Sequence, residues 1–134
     1  MRPVTMTPIG IFHTDSKQIP RHWAISDVKG DIVIDEKYKD GLRDIQTGQK
    51  IIVIFHFHQS PPFESCHLIQ KPWHREKEMG VFSICSPLRP NPIGLSVLKV
   101  LEVKGNVVSV VHADMVDGTP VLDIKPYTPG DFKE

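Results

Sequence analysis

Val97-Leu98-Lys99-Val100-Leu101-Glu102-Val103, then Lys104-Gly105-Asn106, then Val107-Val108-Ser109-Val110-Val111, reads as two β-strands joined by a tight turn. β-Branched residues dominate both runs, and Gly105 supplies the positive φ that a short hairpin turn demands. Outward from this hairpin, further Val- and Ile-rich runs bounded by Gly, Pro or Asp occur at 4–14, 30–34, 50–58, 80–84 and 121–124. The hairpin strands themselves extend to 95–103 and 106–115. Helical signal is thin: Lys37 to Ile45 supports only a short helical turn, with Gly41 arguing against more. Seven short strands in 134 residues predict a mostly β chain, a barrel or a sandwich. The barrel is the expected form: one domain over 1–134, about seven strands, long irregular loops.

Charge and cysteine usage narrow the function classes. Lys plus Arg equals Asp plus Glu at sixteen each, so no global field attracts a polyanion, and nucleic-acid binding needs a local patch. Two cysteines far apart, Cys66 and Cys85, fit reduced thiols in the cytoplasm better than a disulfide framework. The start of the chain lacks an apolar signal run, and Ile51 to Phe55 is too short to span a bilayer, so a soluble protein without membrane partners is expected.

Chemistry concentrates in three places. Cys85-Ser86-Pro87-Leu88-Arg89-Pro90-Asn91-Pro92-Ile93-Gly94 carries prolines at 87, 90 and 92, which stiffen the backbone and aim Arg89 and Asn91 before any ligand arrives. The acidic run Asp114 to Asp123 contains a turn, Asp117-Gly118-Thr119-Pro120; the turn accounts for Asp117, whereas Asp114 ends an apolar strand where an unpaired carboxylate is costly. Asp114 is expected to bind a ligand or pair with a cation. The third place is the long irregular stretch Gln59 to Met79, whose Trp73, His74, Arg75 and Lys77 mix groups that stack on bases with groups that hold phosphates.

Competing chemistries have weaker support. A doubly wound cofactor-binding fold needs a glycine-rich turn, and none of the nine glycines forms GxG. His56 and His58 on alternate strand positions, followed by Glu64, suggest a cupin-like metal site, but no second glycine-bounded motif completes it, and no metal is expected. Cys85, Ser86 and Ser96 have no identifiable base beside them for nucleophilic catalysis.

Taken in order, Ile9-Gly10, Pro20-Arg21, Gly41-Leu42, Phe57-His58, Arg89 to Gly94, Asp117 to Pro120 and Asp123-Ile124-Lys125-Pro126-Tyr127 resemble the TrmO (TsaA-like) family nearly end to end. The resemblance implies a β-barrel, homodimeric, S-adenosylmethionine-dependent methyltransferase that modifies N6 of threonylcarbamoyladenosine beside the tRNA anticodon. It implies a cofactor site made of Pro20, Arg21, His22, His58, Gln59, Cys85, a turn at Leu95, and Val111, His112, Ala113 and Asp114. In that setting Arg21 faces the cofactor carboxylate, Leu95 and Phe57 pack its adenine, and Asp114 takes its polar ends. His58 and His112 are the candidate catalytic bases. Arg89, Asn91, Asp117, Lys125 and Tyr127 are the candidate substrate-binding residues, with Arg89, Lys125, Tyr127 and the Trp73 to Lys77 loop meeting RNA. Two departures stand out: Ile84-Cys85 replaces a common Thr-Arg, and His22 replaces a common glutamine. Cys85 offers neither the charge nor the forked donors of arginine, which leaves open a barrel that binds the cofactor or a related nucleoside without acting on RNA, or that methylates a small molecule.

Overall fold

The computed structural model describes residues 1–128. Eight strands are present among them: β1 Gly10–His13, β2 Lys29–Ile34, β3 Lys50–His56, β4 Ile69–Gln70, β5 Met79–Gly80, β6 Ile93–Lys104, β7 Val107–Val111 and β8 Thr119–Pro126. Six close into an antiparallel barrel in the order β1-β2-β7-β6-β3-β8, while β4 and β5 pair separately. Closure leaves no barrel edge unpaired, which removes the usual route to edge-to-edge aggregation.

Alternation along the strands builds the core. In β3, Ile51, Val53 and Phe55 point inward, and in β6 Leu98 and Val100 meet them with Phe12, Ile32, Ile34, Val108, Val110 and Val121. Each fully buried side chain of this kind contributes about 1.5–3 kcal/mol of transfer free energy. The β6–β7 hairpin forms as its sequence predicts, with Gly105 at φ 61°. A register shift between Val100 and Glu102 lets the long β6 bend around the barrel.

Three expectations are corrected. The run from Val4 pairs only from Gly10 onward, and residues 1–8 are exposed. The run at 80–84 joins no barrel strand: after β5 the chain enters a 3-10 turn at Val81–Ser83, because Phe82 and Ser83 face solvent and only Val81 is buried. The barrel therefore has six strands. The stretch Gln59 to Met79 is partly regular, with a 3-10 turn at Ser65–Leu68 and the β4–β5 pair closing its base. The helical turn expected near Lys37 is a 3-10 helix, Glu36–Leu42, capped by Asp35 and anchored by buried Leu42. Among the described residues no helix is long and apolar enough to cross a membrane.

Candidate functional site at the barrel mouth

Antiparallel pairing brings the ends of β1, β3 and β7 and the starts of β2, β6 and β8 to one mouth of the barrel. Residues 112–118 leave β7 and run to β8, two strands that are not neighbours, so this strap crosses the mouth. Its apolar side plugs the core through Ala113 and Met115, both essentially inaccessible. Its polar side carries Asp114 and Asp117.

A second segment holds the strap down. Ser26, after the 3-10 turn Trp23–Ile25, donates its hydroxyl to the Ala113 carbonyl, and its own carbonyl lies 2.8 Å from His112 Nδ1. A carbonyl only accepts, so His112 carries a hydrogen on Nδ1, and in the neutral ring Nε2 keeps the lone pair. His112 sits at φ 79°, a left-handed backbone rarely adopted by a residue with a side chain. Strain of this kind, about 1–3 kcal/mol, is retained where surrounding contacts fix it; here Ser26 does so.

Asp114 is the electrostatic centre of the cluster. The fully buried Ser96 of β6 donates its hydroxyl to the Asp114 carboxylate. Burial pushes the Asp114 pKa above the ordinary 3.8, against the Ser96 bond, the residue's own amide, the nearby His22 ring and the Trp23 amide, all of which favour the charged form. Asp114 takes part in none of the ion pairs among the described residues. A partly buried carboxylate with a dedicated donor and no cation of its own suits a positively charged ligand.

Several other expected residues reach the same mouth. Arg21 stacks over Trp73 at 3.5 Å, tying the segment that carries His22 to the long 59–79 loop. His58 and Gln59 follow β3, and His58 Nε2 comes within 4.0 Å of where a Cβ on Gly118 would stand. Asn91 precedes β6, and the Pro92 carbonyl receives the Phe57 amide at 2.8 Å. Asn91 and Asp114 therefore share one end of the barrel, with Ser96 linking β6 to the strap. Cys85 is exposed in the proline-braced loop, and Val111 and Pro20 are half-buried.

One expected placement is overturned, and other expected residues lie away from Asp114 or in unforeseen contacts. Leu95 is not in a turn: it pairs with Ile54 inside β6 and faces outward, 54% exposed, while its neighbour Ser96 faces in. Arg89 is held in place, as its Nη1 donates to the Ile84 and Ser86 carbonyls at 3.1 and 3.0 Å and ties the loop around Cys85. Lys125 and Tyr127 lie at the opposite end; Lys125 is six positions along β8 from Thr119, about 20 Å of strand. There Lys125 pairs with Asp123 at 2.8 Å and the Tyr127 amide donates to Lys50. His56 and His58 do not share a strand face, because β3 stops at His56 and the His58 amide turns back onto the His56 carbonyl. Glu64, Cys66 and His67 place donor atoms within 4.8 Å of one another, but a reciprocal capping box between Glu64 and His67 explains that proximity.

Sequence reading missed Ser96, Ser26, Trp23 and His13. No local sequence signal marks Ser96 or Ser26, whose partners lie far along the chain. The opposite end holds an open groove of about 410 Å³ lined by Ile9, Ile34, Leu42, Ile45 and Ile124 together with Lys37, Tyr38, Asp40, Gly41 and Asp123. It lies away from Asp114 and contains no buried polar side chain among its lining residues, so chemistry is assigned to the mouth.

A family model described as the tRNA-methyltransferase O N-terminal domain matches residues 9–131. This chain belongs to that family. Its relatives include a probable S-adenosyl-L-methionine-binding protein of Pyrococcus abyssi, 41% identical over 126 residues, covering 91% of this chain and 67% of the relative. An S-adenosyl-L-methionine-binding protein of Archaeoglobus fulgidus is 39% identical over 127 residues, covering 92% of this chain and 89% of that protein. A mouse tRNA (adenine(37)-N6)-methyltransferase is 41% identical over 86 residues, 64% of this chain but 20% of the mouse protein. Among solved structures, TrmO from Pseudomonas aeruginosa superposes with a TM-score of 0.77 at 27% identity, covering 98% of this chain and 60% of that one. The chain thus spans well under two thirds of that family member's length. The six-stranded barrel is the fold the two share.

Proposed function

We propose that this chain is an S-adenosylmethionine-dependent methyltransferase that holds the cofactor at the barrel mouth and methylates N6 of threonylcarbamoyladenosine beside a tRNA anticodon, as a homodimer in the cytoplasm. The observation that carries the reading is the partly buried Asp114 carboxylate on the buried Ser96 hydroxyl, with His22 and Trp23 beside it, on a strap across the mouth of a TrmO-family barrel. The adenine-N6 specificity is that of the mouse relative's name. The threonylcarbamoyl group comes from the sequence resemblance alone.

The residues present fit such a cofactor. When bound, S-adenosylmethionine supplies an electrophilic methyl group on a cationic sulfur. Asp114 draws the positive end of the ligand into the cluster, and the attraction offsets the burial cost that lifts its pKa. Phe57, packed edge-on against Phe55 at 5.0 Å, and the exposed Leu95 offer apolar surface for an adenine. Rate comes chiefly from holding donor and acceptor in line, which the proline loop, braced by Arg89 and by Gln70 on the Leu88 carbonyl at 2.7 Å, is stiff enough to do. His112 is held in one orientation by the Ser26 carbonyl on its Nδ1. RNA would meet exposed Trp73 and its neighbours Lys71, His74, Arg75 and Lys77. Exposed Ile25, Ile93, Leu95 and Val116 around the mouth support a homodimer, and two exposed free thiols fit a reducing compartment.

A second reading, a barrel that binds the cofactor without acting on tRNA, is favoured by Cys85 in the place of the family's usual arginine and by the archaeal relatives' names. Incubation with methyl-labelled S-adenosylmethionine and bulk tRNA, followed by digestion to nucleosides, separates the two. Label in methylated threonylcarbamoyladenosine supports the first; cofactor binding with unlabelled tRNA supports the second.

A further inference from the structure

We infer that His13 is the group that takes the acceptor's proton, held in its working tautomer by Asp117. The inference rests on the methyltransferase reading and names a residue outside the cofactor segments. His13 ends β1 at the mouth, and its Nδ1 lies 3.3 Å from Asp117 Oδ1. The same carboxylate oxygen accepts the Thr14 amide at 3.0 Å, so Asp117 is itself fixed in position. The turn that presents it is pinned by the Gly118 amide on the Phe12 carbonyl at 2.8 Å and depends on Gly118 at φ 85°.

Chemistry then assigns the proton. The Thr14 amide and His13 hold the Asp117 carboxyl below the usual carboxylate range, so near neutrality it is ionised and only accepts. Nδ1 of His13 therefore carries a hydrogen, and in the neutral ring Nε2 carries the lone pair. His112 is in the same tautomer, but its Nδ1 faces a neutral carbonyl, whereas His13 faces a carboxylate that stabilises the imidazolium formed when a proton arrives. His13 is also the more open of the two, 54% exposed, and so within reach of a bulky acceptor. Other charged groups around the pair are Asp31, in register with His13 on β2, Lys17, which acts on Asp117, and His58 across the Gly118 turn.

Placement suits the step. Asp114 and Asp117 are three residues apart on the strap, at most about 11 Å of chain, so a ligand seated at Asp114 and extended along the strap brings its reacting end toward His13. As the nitrogen–methyl bond forms, the sulfur–methyl bond breaks and sulfur keeps the electron pair. The acceptor N–H bond gives its proton to Nε2, which passes it to water. Asp117 is a positioning residue in this scheme, since it acts through His13 and stays ionised.

Two measurements test it. Imidazole ¹⁵N NMR near neutral pH should show His13 in the Nδ1–H form in the wild type and a shift toward the Nε2–H form in Asp117→Asn. Methyl transfer to tRNA should fall about 100-fold or more in His13→Gln and about tenfold in Asp117→Asn, with cofactor affinity unchanged and the acid limb of the pH–rate profile flattened in His13→Gln. Wild-type turnover matched by His13→Gln, or a His13 tautomer indifferent to Asp117→Asn, overturns the role alone. A wild-type chain that transfers no methyl to tRNA while keeping the Nδ1–H tautomer overturns the methyltransferase reading, and the role with it.

Discussion

Replacing Ser96 with alanine isolates the interaction on which the mouth depends. The hydroxyl is fully buried and donates to the Asp114 carboxylate. Hydrogen bonds to charged groups contribute about 1.5–3 kcal/mol, so Ser96→Ala should lower unfolding stability by that amount in urea titration near pH 7. For a chain of this size about 4 °C of melting temperature accompanies each kcal/mol, giving a drop of about 6–12 °C. The pH dependence has a definite sign. Burial raises the Asp114 pKa, so the folded protein holds this proton to higher pH than the unfolded chain does; the associated stability is complete below 3.8 and lost as pH rises through the folded value. Ser96 opposes that loss by favouring the ionised form, so the penalty of Ser96→Ala should be larger near pH 7 than near pH 3. In an Asp114→Asn background the penalty should shrink, because the charge that strengthened the bond is gone. A cost below about 0.5 kcal/mol, or one that does not change between the two pH values, refutes the reasoning.

Three further outcomes are expected. Arg89→Ala should weaken cofactor binding severalfold and speed hydrogen exchange across 84–89, read by mass spectrometry, because the Ile84 and Ser86 carbonyls lose their brace. Trp73→Ala should reduce tRNA affinity by about 1–3 kcal/mol of stacking while leaving the salt dependence of binding nearly unchanged, whereas Arg75→Ala together with Lys77→Ala should flatten that dependence. Ile25→Asp should shift the protein toward monomer in sedimentation velocity, since a charge on the exposed apolar rim opposes a buried contact there.

The hairpin and the barrel class were legible because Val- and Ile-rich runs are bounded by Gly, Pro or Asp, and because a glycine stands where the turn needs positive φ. The strand expected at 80–84 failed because a short apolar run does not reveal whether a neighbour exists to pair with it; Phe82 has none and is 80% exposed. Asp114 was legible as a carboxylate in the wrong place, at the end of an apolar strand. Ser96 and Ser26 were not, because a buried serine is recognisable only once its partner, far along the chain, is known. Arg89 was legible as a cation fixed by prolines, whereas the Ile84 and Ser86 carbonyls that hold it depend on the path of a proline-bent loop. The distance of Lys125 and Tyr127 from Asp114 was not legible, because a motif contiguous in sequence runs the length of β8 and its two halves reach opposite ends of the barrel.

Calorimetric titration of S-adenosylmethionine into the wild type and Asp114→Ala is the most direct measurement of whether the barrel mouth is a cofactor site. Wild-type binding with affinity at least tenfold weaker in the variant, in protein shown by circular dichroism to be folded, is the predicted result. Equal affinity in the two proteins would place the cofactor elsewhere and contradict the account.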